Sequence, residues 1–227
     1  MGKIYTVLGL MSGTSMDGID ASIIKSDGET QFDAVFNKYF QYNEDLYQGL
    51  INLRNKIINS QDLKIYQKNI NLLEREITLF HAEVVNKILN ESKISVDYIG
   101  FHGQTIFHNA SEKISKQLGD AYLLSQLTKK EIVYNFREND LKNGGQGAPL
   151  TPIFHRLVTK KSEINLPACI INIGGITNIT IITSFDINSL KSYDIGPGNC
   201  LIDEWIRIKT KKKYDKNGEI ACLGSTS

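Results

Sequence analysis

No run of this sequence approaches the eighteen or so consecutive apolar residues of a membrane-crossing helix. Net charge is also nearly absent, with 26 Lys and Arg against 25 Asp and Glu. The basic excess that accompanies nucleic-acid or anionic-membrane partners is therefore missing. Cysteine is scarce. Cys169, Cys200 and Cys222 are odd in number, widely spaced and without a C-x-x-C pair, which speaks against a disulfide framework or a zinc site and predicts reduced, buried thiols. The N-terminus leads from Gly2 into an apolar segment of only about six residues, without the apolar core or cleavage pattern of a secretory signal. These absences predict a cytoplasmic protein with no membrane and no nucleic acid among its partners.

What is present is ordinary globular material, 41% hydrophobic over 227 residues, enough for one large domain or two modest ones. Tyr5 to Leu10 reads as a strand, Gly13 to Gly18 as a tight polar loop, and Ile19 to Ile24 as the returning strand. A third strand fits Phe32 to Phe40, and residues 44–59 are helical by composition. From Leu63 to Glu91, apolar residues Ile70, Leu73, Ile77, Phe80, Val84 and Ile88 recur at spacings of three and four, the stripe of a long amphipathic helix. His81 lies beside that stripe and is expected on its flank or at the surface.

Val96 to Phe101 predicts a strand running into His102-Gly103-Gln104-Thr105. A short helix over Ala121–Thr128 and a strand over Ile132–Phe136 follow. Then the pattern restarts: Ala168–Ile173 and Ile179–Ile182 are apolar runs around a Gly174-Gly175 turn, and a helix is expected from Cys200 to Ile206 with Trp205 in the core. The order predicts an α/β chain with a repeated strand–loop–strand unit. Its first domain would cover residues 1–136. Residues 137–227 would hold an interlobe segment, Arg137 to Thr151, and the start of a second domain.

Five loops carry the residue types of chemistry. In the first, Gly13-Thr14-Ser15-Met16-Asp17-Gly18-Ile19-Asp20, small residues let backbone N–H groups and hydroxyls approach phosphate oxygens, and Asp17 can hold a hydrated magnesium ion. The same composition also suits an ordinary turn. The second is the strand end at Gln104 and Thr105, whose donors and acceptors match sugar hydroxyls or an N-acetyl group, with His102 and His108 as loop caps or as functional groups. The third is Asp140 followed by Gly144-Gly145-Gln146-Gly147. Here a side-chain-poor loop adjoins an acid able to act as general base, or to serve as an N-cap of an interlobe turn. The Gly174-Gly175 turn and Asp194-Ile195-Gly196-Pro197-Gly198-Asn199 complete the set, the latter aiming a helix N-terminus at an anion.

Taken in order, Leu10–Gly18, the His-Gly-Gln-Thr of 102–105, Gly144–Leu150 and Asp194–Asn199 resemble the anhydro-N-acetylmuramic acid kinases from residue 4 to about 218. The resemblance implies two ribonuclease-H-like lobes of the actin-like ATPase type with ATP in a central cleft, the second lobe truncated here. It implies hydrolytic opening of 1,6-anhydro-N-acetylmuramic acid with phosphorylation of O6, in peptidoglycan recycling. Carried over by motif, residues Gly13, Thr14, Ser15, Met16, Asp17, Gly18, Ile19 and Asp20, with Gly174 and Gly175, would take ATP phosphates. Asp140 would be the catalytic base, and Gln104, Thr105, Gly144, Gly145 and Gln146 would line the sugar. Mg2+ would be held through water by Asp17 and Asp194. Pairing into a homodimer is common among such kinases. Met11, Asn135 and Asn172 depart from the acids expected at those positions. The chain reaches Ser227 without the glycine-rich adenosine loop of the family, so a non-catalytic, sugar-binding half stands as the alternative. An actin-like or chaperone-like ATPase is disfavoured by the sugar-side strings.

Overall fold

Strand β1 (Tyr5–Ser12) and strand β2 (Gly18–Ser26) are antiparallel neighbours, registered from Tyr5 against Ser26 to Met11 against Asp20. The polar tip predicted between them is therefore a hairpin turn. Strand β3 (Phe32–Gln41) continues the meander along β2. Asn43 then caps helix α1 (Glu44–Lys56), its side chain accepting the Leu46 N–H at 2.9 Å. A four-residue helix α2 (Asp62–Ile65) leads into α3 (Gln67–Ser92), which the three/four periodicity anticipated.

The chain returns as β4 (Tyr98–Asn109), parallel to β1, and turns into β5 (Ile114–Leu118), antiparallel to its second half. Helix α4 (Ala121–Thr128), N-capped by Asp120, leads to β6 (Glu131–Val133), parallel to the first half of β4. The sheet order is β3-β2-β1-β4-β5, with β6 also on β4. Leu8, Leu10, Ile19, Ile23 and Ile99 from the strands pack with Leu50 of α1, Ile70, Ile77 and Ile88 of α3 and Leu124 of α4, all at most 2% exposed. Burying each such side chain contributes roughly 1.5–3 kcal/mol.

The computed structural model describes residues 2–225. Met1, Thr226 and Ser227, at the outer limits of the two expected domains, lie outside the described residues. Two compact units divide between Leu150 and Thr151. Beyond α5 (Phe136–Lys142) and a glycine loop, the second unit opens with α6 (Pro152–Lys161). Its sheet has the order β7-β8-β9, from β7 (Ala168–Ile173), β8 (Ile176–Ile182) and β9 (Lys191–Pro197), followed by α7 (Cys200–Lys209). Among the described residues no helix is long and apolar enough to cross a membrane.

Several expectations fail for identifiable reasons. The strand predicted over Ile132–Phe136 stops at Val133, because Asn135 adopts a left-handed conformation (φ 59°) that breaks the strand and starts α5. The predicted hinge is thus helical over its first part. The thiols are not buried: Cys169 on edge strand β7 and Cys222 in a short 3-10 turn are exposed, Cys200 is half-buried, and all three are free. Trp205 is 53% exposed, because neighbouring Ile206, about 100° around α7, is the inward residue at 2%.

His81 is the sharpest correction. It is fully buried, its Nδ1–H donating to the Ile77 carbonyl at 2.8 Å and its ring edge-on to Phe101. The apolar stripe is wider than its most regular members suggested, and Thr78, His81 and Ala82 belong to it. Burial pushes the His81 pKa down to about 4, with the nearby His102 acting in the same direction. Neutral His81 therefore contributes stability that is complete above about pH 6.5 and lost as pH falls towards 4, on the order of 3 kcal/mol. Urea unfolding across this pH range should show the proton uptake on unfolding reduced by about one in His81→Leu. An unchanged uptake would mean that His81 titrates normally in the fold.

Candidate active site

The hairpin tip is a loop whose carbonyls are pulled aside. The Gly13 carbonyl accepts from Met16 N–H at 3.2 Å and from Gln104 Nε2 at 2.9 Å. The Thr14 carbonyl accepts from Arg54 Nη1 at 3.3 Å, and the Asp17 carbonyl from Tyr42 N–H at 2.8 Å. Met16 takes a positive φ of 58° and buries its side chain to 1% exposure, so the turn is anchored from below. Thr14 and Ser15 remain exposed, and among the described residues nothing accepts their N–H groups. Backbone N–H groups left without an acceptor in an exposed turn are the kind of donor a phosphate group binds.

Both ends of the tip are tied down by one residue. Tyr42 donates its N–H to Asp17, and its hydroxyl lies 2.8 Å from Ser12 Oγ. Since His81 Nδ1–H is committed to Ile77, His81 Nε2 is an acceptor, and Ser12 Oγ–H donates to it across 3.4 Å. The Tyr42 hydroxyl must then donate to Ser12. Burial raises the Tyr42 pKa, which keeps that proton in place.

Around the same tip, Ser15 Oγ donates to Asp17 Oδ1 at 2.6 Å. The carboxyl of Asp20 is pushed above its ordinary value by partial burial and by the charge of Asp17. Two acids that repel each other beside free N–H groups suit a hydrated divalent cation accompanying phosphate. No group of three or more His, Cys, Asp or Glu side chains among the described residues is arranged to hold a metal ion. A magnesium ion here would rely chiefly on water and phosphate oxygens.

The His-Gly-Gln-Thr string lies inside β4 and not in a loop beyond it. Gly103, at φ 70°, makes a bulge where the register to β1 slips between Leu10–Phe101 and Ser12–Gln104. A Cβ at Gly103 would run into the Leu118 carbonyl. Buried positions in β4 are odd up to Phe101 and even from Gln104 onward. The bulge therefore turns Gln104 inward to 0% exposure, where its amide donates to Gly13 and its Oε1 is buried with no partner. Thr105 is half-buried and accepts from Gln117 Nε2 at 3.2 Å. Gln104 thus joins the hairpin tip directly, a connection the motif alone did not reveal.

Asp140 sits in the last turn of α5 and is not an N-cap. Its carboxylate faces the glycine loop, and Oδ2 accepts the Gly147 N–H at 2.7 Å while its backbone carbonyl accepts Gly145 N–H at 2.9 Å. Gly145 is required by contact, since a Cβ there would overlap the Asp140 carboxylate. Gly147 is required by conformation, at φ 73°. Among the described residues nothing donates to Asp140 Oδ1. Gln146 is exposed at the loop crest. Arg137, which the motifs did not single out, donates to both the Gly147 carbonyl and His102 Nε2, each at 2.8 Å. Only its position one turn ahead of Asp140 could have drawn attention to it.

In the second unit, the Gly174 and Gly175 carbonyls accept the N–H groups of Gly198, Asn199 and Cys200 at 2.8–3.3 Å. Cys200, the first residue of α7, thereby gives its N–H to the glycine turn. Asp194 stands half-way along β9, exposed, paired in register with Asn178.

The chain as a whole has relatives among known proteins. The family model for anhydro-N-acetylmuramic acid kinase matches residues 5–227. The chain is 60% identical over 227 residues to the anhydro-N-acetylmuramic acid kinase of Pelagibacter ubique strain HTCC1062, covering all of this chain and 60% of that protein. It is 39% identical over 234 residues to the enzyme of the same name from Agrobacterium fabrum strain C58, covering 99% of this chain and 61% of that protein. The chain thus spans about three-fifths of the length of the curated relatives it matches. A solved structure from a structural study of the Aquifex aeolicus PPX-GPPA enzyme aligns with 92% of this chain and 57% of that chain at 10% identity. Its TM-score of 0.41 is too low to bear on the fold. The full-length match of the family model and the level of identity make this chain a member of the anhydro-N-acetylmuramic acid kinase family.

Proposed function

We propose that the chain supplies the base and the phosphate hairpin of a kinase that opens 1,6-anhydro-N-acetylmuramic acid with water and phosphorylates O6 from ATP. The observation that carries this reading is the Asp140 carboxylate. One oxygen is fixed by Gly147 N–H, and among the described residues no donor reaches the other, which leaves it able to accept from a water molecule. On this reading Asp140 Oδ1 takes a proton from water as the water oxygen bonds to C1. The C1–O6 bond breaks, and O6 forms its new bond to the γ-phosphorus while ADP leaves. The proton on Asp140 then passes to solvent.

The Thr14 and Ser15 N–H groups would receive phosphate oxygens, with Asp17 and Asp20 beside them to hold hydrated magnesium, which offsets phosphate charge. Gln104, Thr105 and the Gly144–Gly147 loop would border the sugar. Gly174, Gly175 and Asp194 would serve the nucleotide. The meander-plus-parallel order of the first sheet supports a ribonuclease-H-like, actin-like ATPase assignment, with residues 1–136 as its first domain and 137–227 as the connection and the beginning of the second. The absence of a membrane-length helix among the described residues is compatible with a cytoplasmic enzyme.

Calorimetric titration of the chain with 1,6-anhydro-N-acetylmuramic acid should register one site, and Asp140→Asn should retain that binding. A folded chain that takes up no sugar would sink the reading. In a version of the protein extended to its relatives' length, turnover assayed with the sugar and magnesium–ATP should be abolished in Asp140→Asn. It should fall about as far in Gly145→Ala, because the added methyl must displace the carboxylate. If Gly145→Ala turned over normally, the carboxylate orientation seen here would not be the productive one.

A further inference from the structure

Resting on the reading of Asp140 as the base, we propose that Arg137, anchored by His102, is a positioning residue that fixes the Asp140 carboxylate through Gly147. The links run in one unbroken line. His102 Nδ1 lies 2.7 Å from the Gly103 carbonyl, which can only accept, so Nδ1 carries the proton and Nε2 is an acceptor. Arg137 Nε–H donates to that Nε2 at 2.8 Å, and its Nη1–H donates to the Gly147 carbonyl at 2.8 Å. The N–H of the same Gly147 donates to Asp140 Oδ2 at 2.7 Å. Only the Cα of Gly147 therefore lies between the guanidinium's hold on the loop and the loop's hold on the carboxylate.

The geometry needs both a fork and an acceptor. A guanidinium presents two N–H directions in a fixed plane, which a lysine ammonium cannot reproduce towards both partners. The imidazole must be neutral, since a protonated Nε2 would leave Arg137 Nε–H facing another donor. Burial, assisted by the Arg137 charge, holds the His102 pKa down to about 4, so the acceptor persists through the neutral range. Gly147 has little freedom to drift: a Cβ on it would already lie 3.0 Å from His108 Cε1 and Leu141 Cγ. His102 thus acts on the reaction only through Arg137, and Arg137 only through the loop.

The test combines amide exchange at Gly147 with turnover, in the chain and its Arg137→Gln, Arg137→Lys, His102→Leu and His102→Gln variants. Ile99 in the central strand serves as the fold's internal control. Gly147 protection should be lost in Arg137→Gln and His102→Leu, and weakened in Arg137→Lys. It should be retained in His102→Gln, whose Oε1 can replace Nε2 as acceptor. Where the wild-type chain turns over, kcat should follow the same order, falling about a hundredfold in Arg137→Gln with KM for the sugar unchanged. Unaltered Gly147 protection in Arg137→Gln, with Ile99 also protected, overturns the brace. So does a loss in His102→Gln equal to that in His102→Leu. Since the chain spans three-fifths of its relatives' length, a wild-type chain with no turnover leaves the kinase reading to the sugar titration, and the exchange pattern alone then decides for or against the brace.

Discussion

The bulge at Gly103 is the constraint on which both halves of the candidate site depend. A regular β4 would carry His102 and Gln104 on one face, two residues apart. The extra residue at φ 70° moves them to opposite faces: Gln104 enters the core beside the hairpin tip, and His102 meets Arg137 on α5. A single backbone irregularity thereby lets one strand hold the β1–β2 hairpin with one side chain and meet α5 with another. Any residue with a Cβ at this point meets the Leu118 carbonyl in addition to the left-handed backbone. The glycine in the string is therefore set by sterics, and the two polar residues around it take their roles from the glycine.

On the proposed reading, the hairpin tip would take an anion without any positive charge of its own. Four donors from elsewhere in the fold (Met16 N–H, Gln104 Nε2, Arg54 Nη1 and Tyr42 N–H) draw three carbonyls out of the way. What remains without an internal partner among the described residues is the N–H of Thr14 and Ser15. Each neutral bond contributes only about 1 kcal/mol to stability, but together they fix the direction of the loop dipoles, which is what an incoming phosphate senses. The buried, unpartnered Oε1 of Gln104 is the cost of committing its amide to Gly13.

Much of the first unit was legible in the sequence because periodicity reports burial directly. The β1–β2 hairpin, the third strand, and the helices over 44–56 and 67–92 stand where alternation and the three/four stripe put them. What was not legible depends on contacts distant in sequence. His81 looked peripheral because its polar ring interrupts the stripe, yet Ile77 and Ser12 satisfy both nitrogens and make it a core residue. Strand β5, helix α6 and strand β9 are short or polar and leave weak periodic traces. In the site, the motif residues Gln104 and Asp140 were named from the sequence. Their mutual arrangement was not, because Arg137 acts through a backbone carbonyl and leaves no side-chain pattern to read.

Two histidines, His81 in the core and the half-buried His102, narrow the choice of base further. His81 and His102 use the same device: Nδ1–H is given to a main-chain carbonyl, and Nε2 is kept as an acceptor by burial that depresses the pKa to about 4. Neither has a nitrogen left for a substrate proton, since Ser12 occupies one Nε2 and Arg137 the other. Tyr42 is likewise closed, its proton directed at Ser12 and its pKa raised by burial. Asp17 takes the hydroxyl of Ser15 beside the phosphate tip. Of the basic atoms on these motifs, Asp140 Oδ1 combines a fixed orientation with an open lone pair, and the groups that fix it are the ones that withdraw His102 from competition. On the proposed reading, the histidine of the His-Gly-Gln-Thr string is thus present to place the acid, and not to share its chemistry.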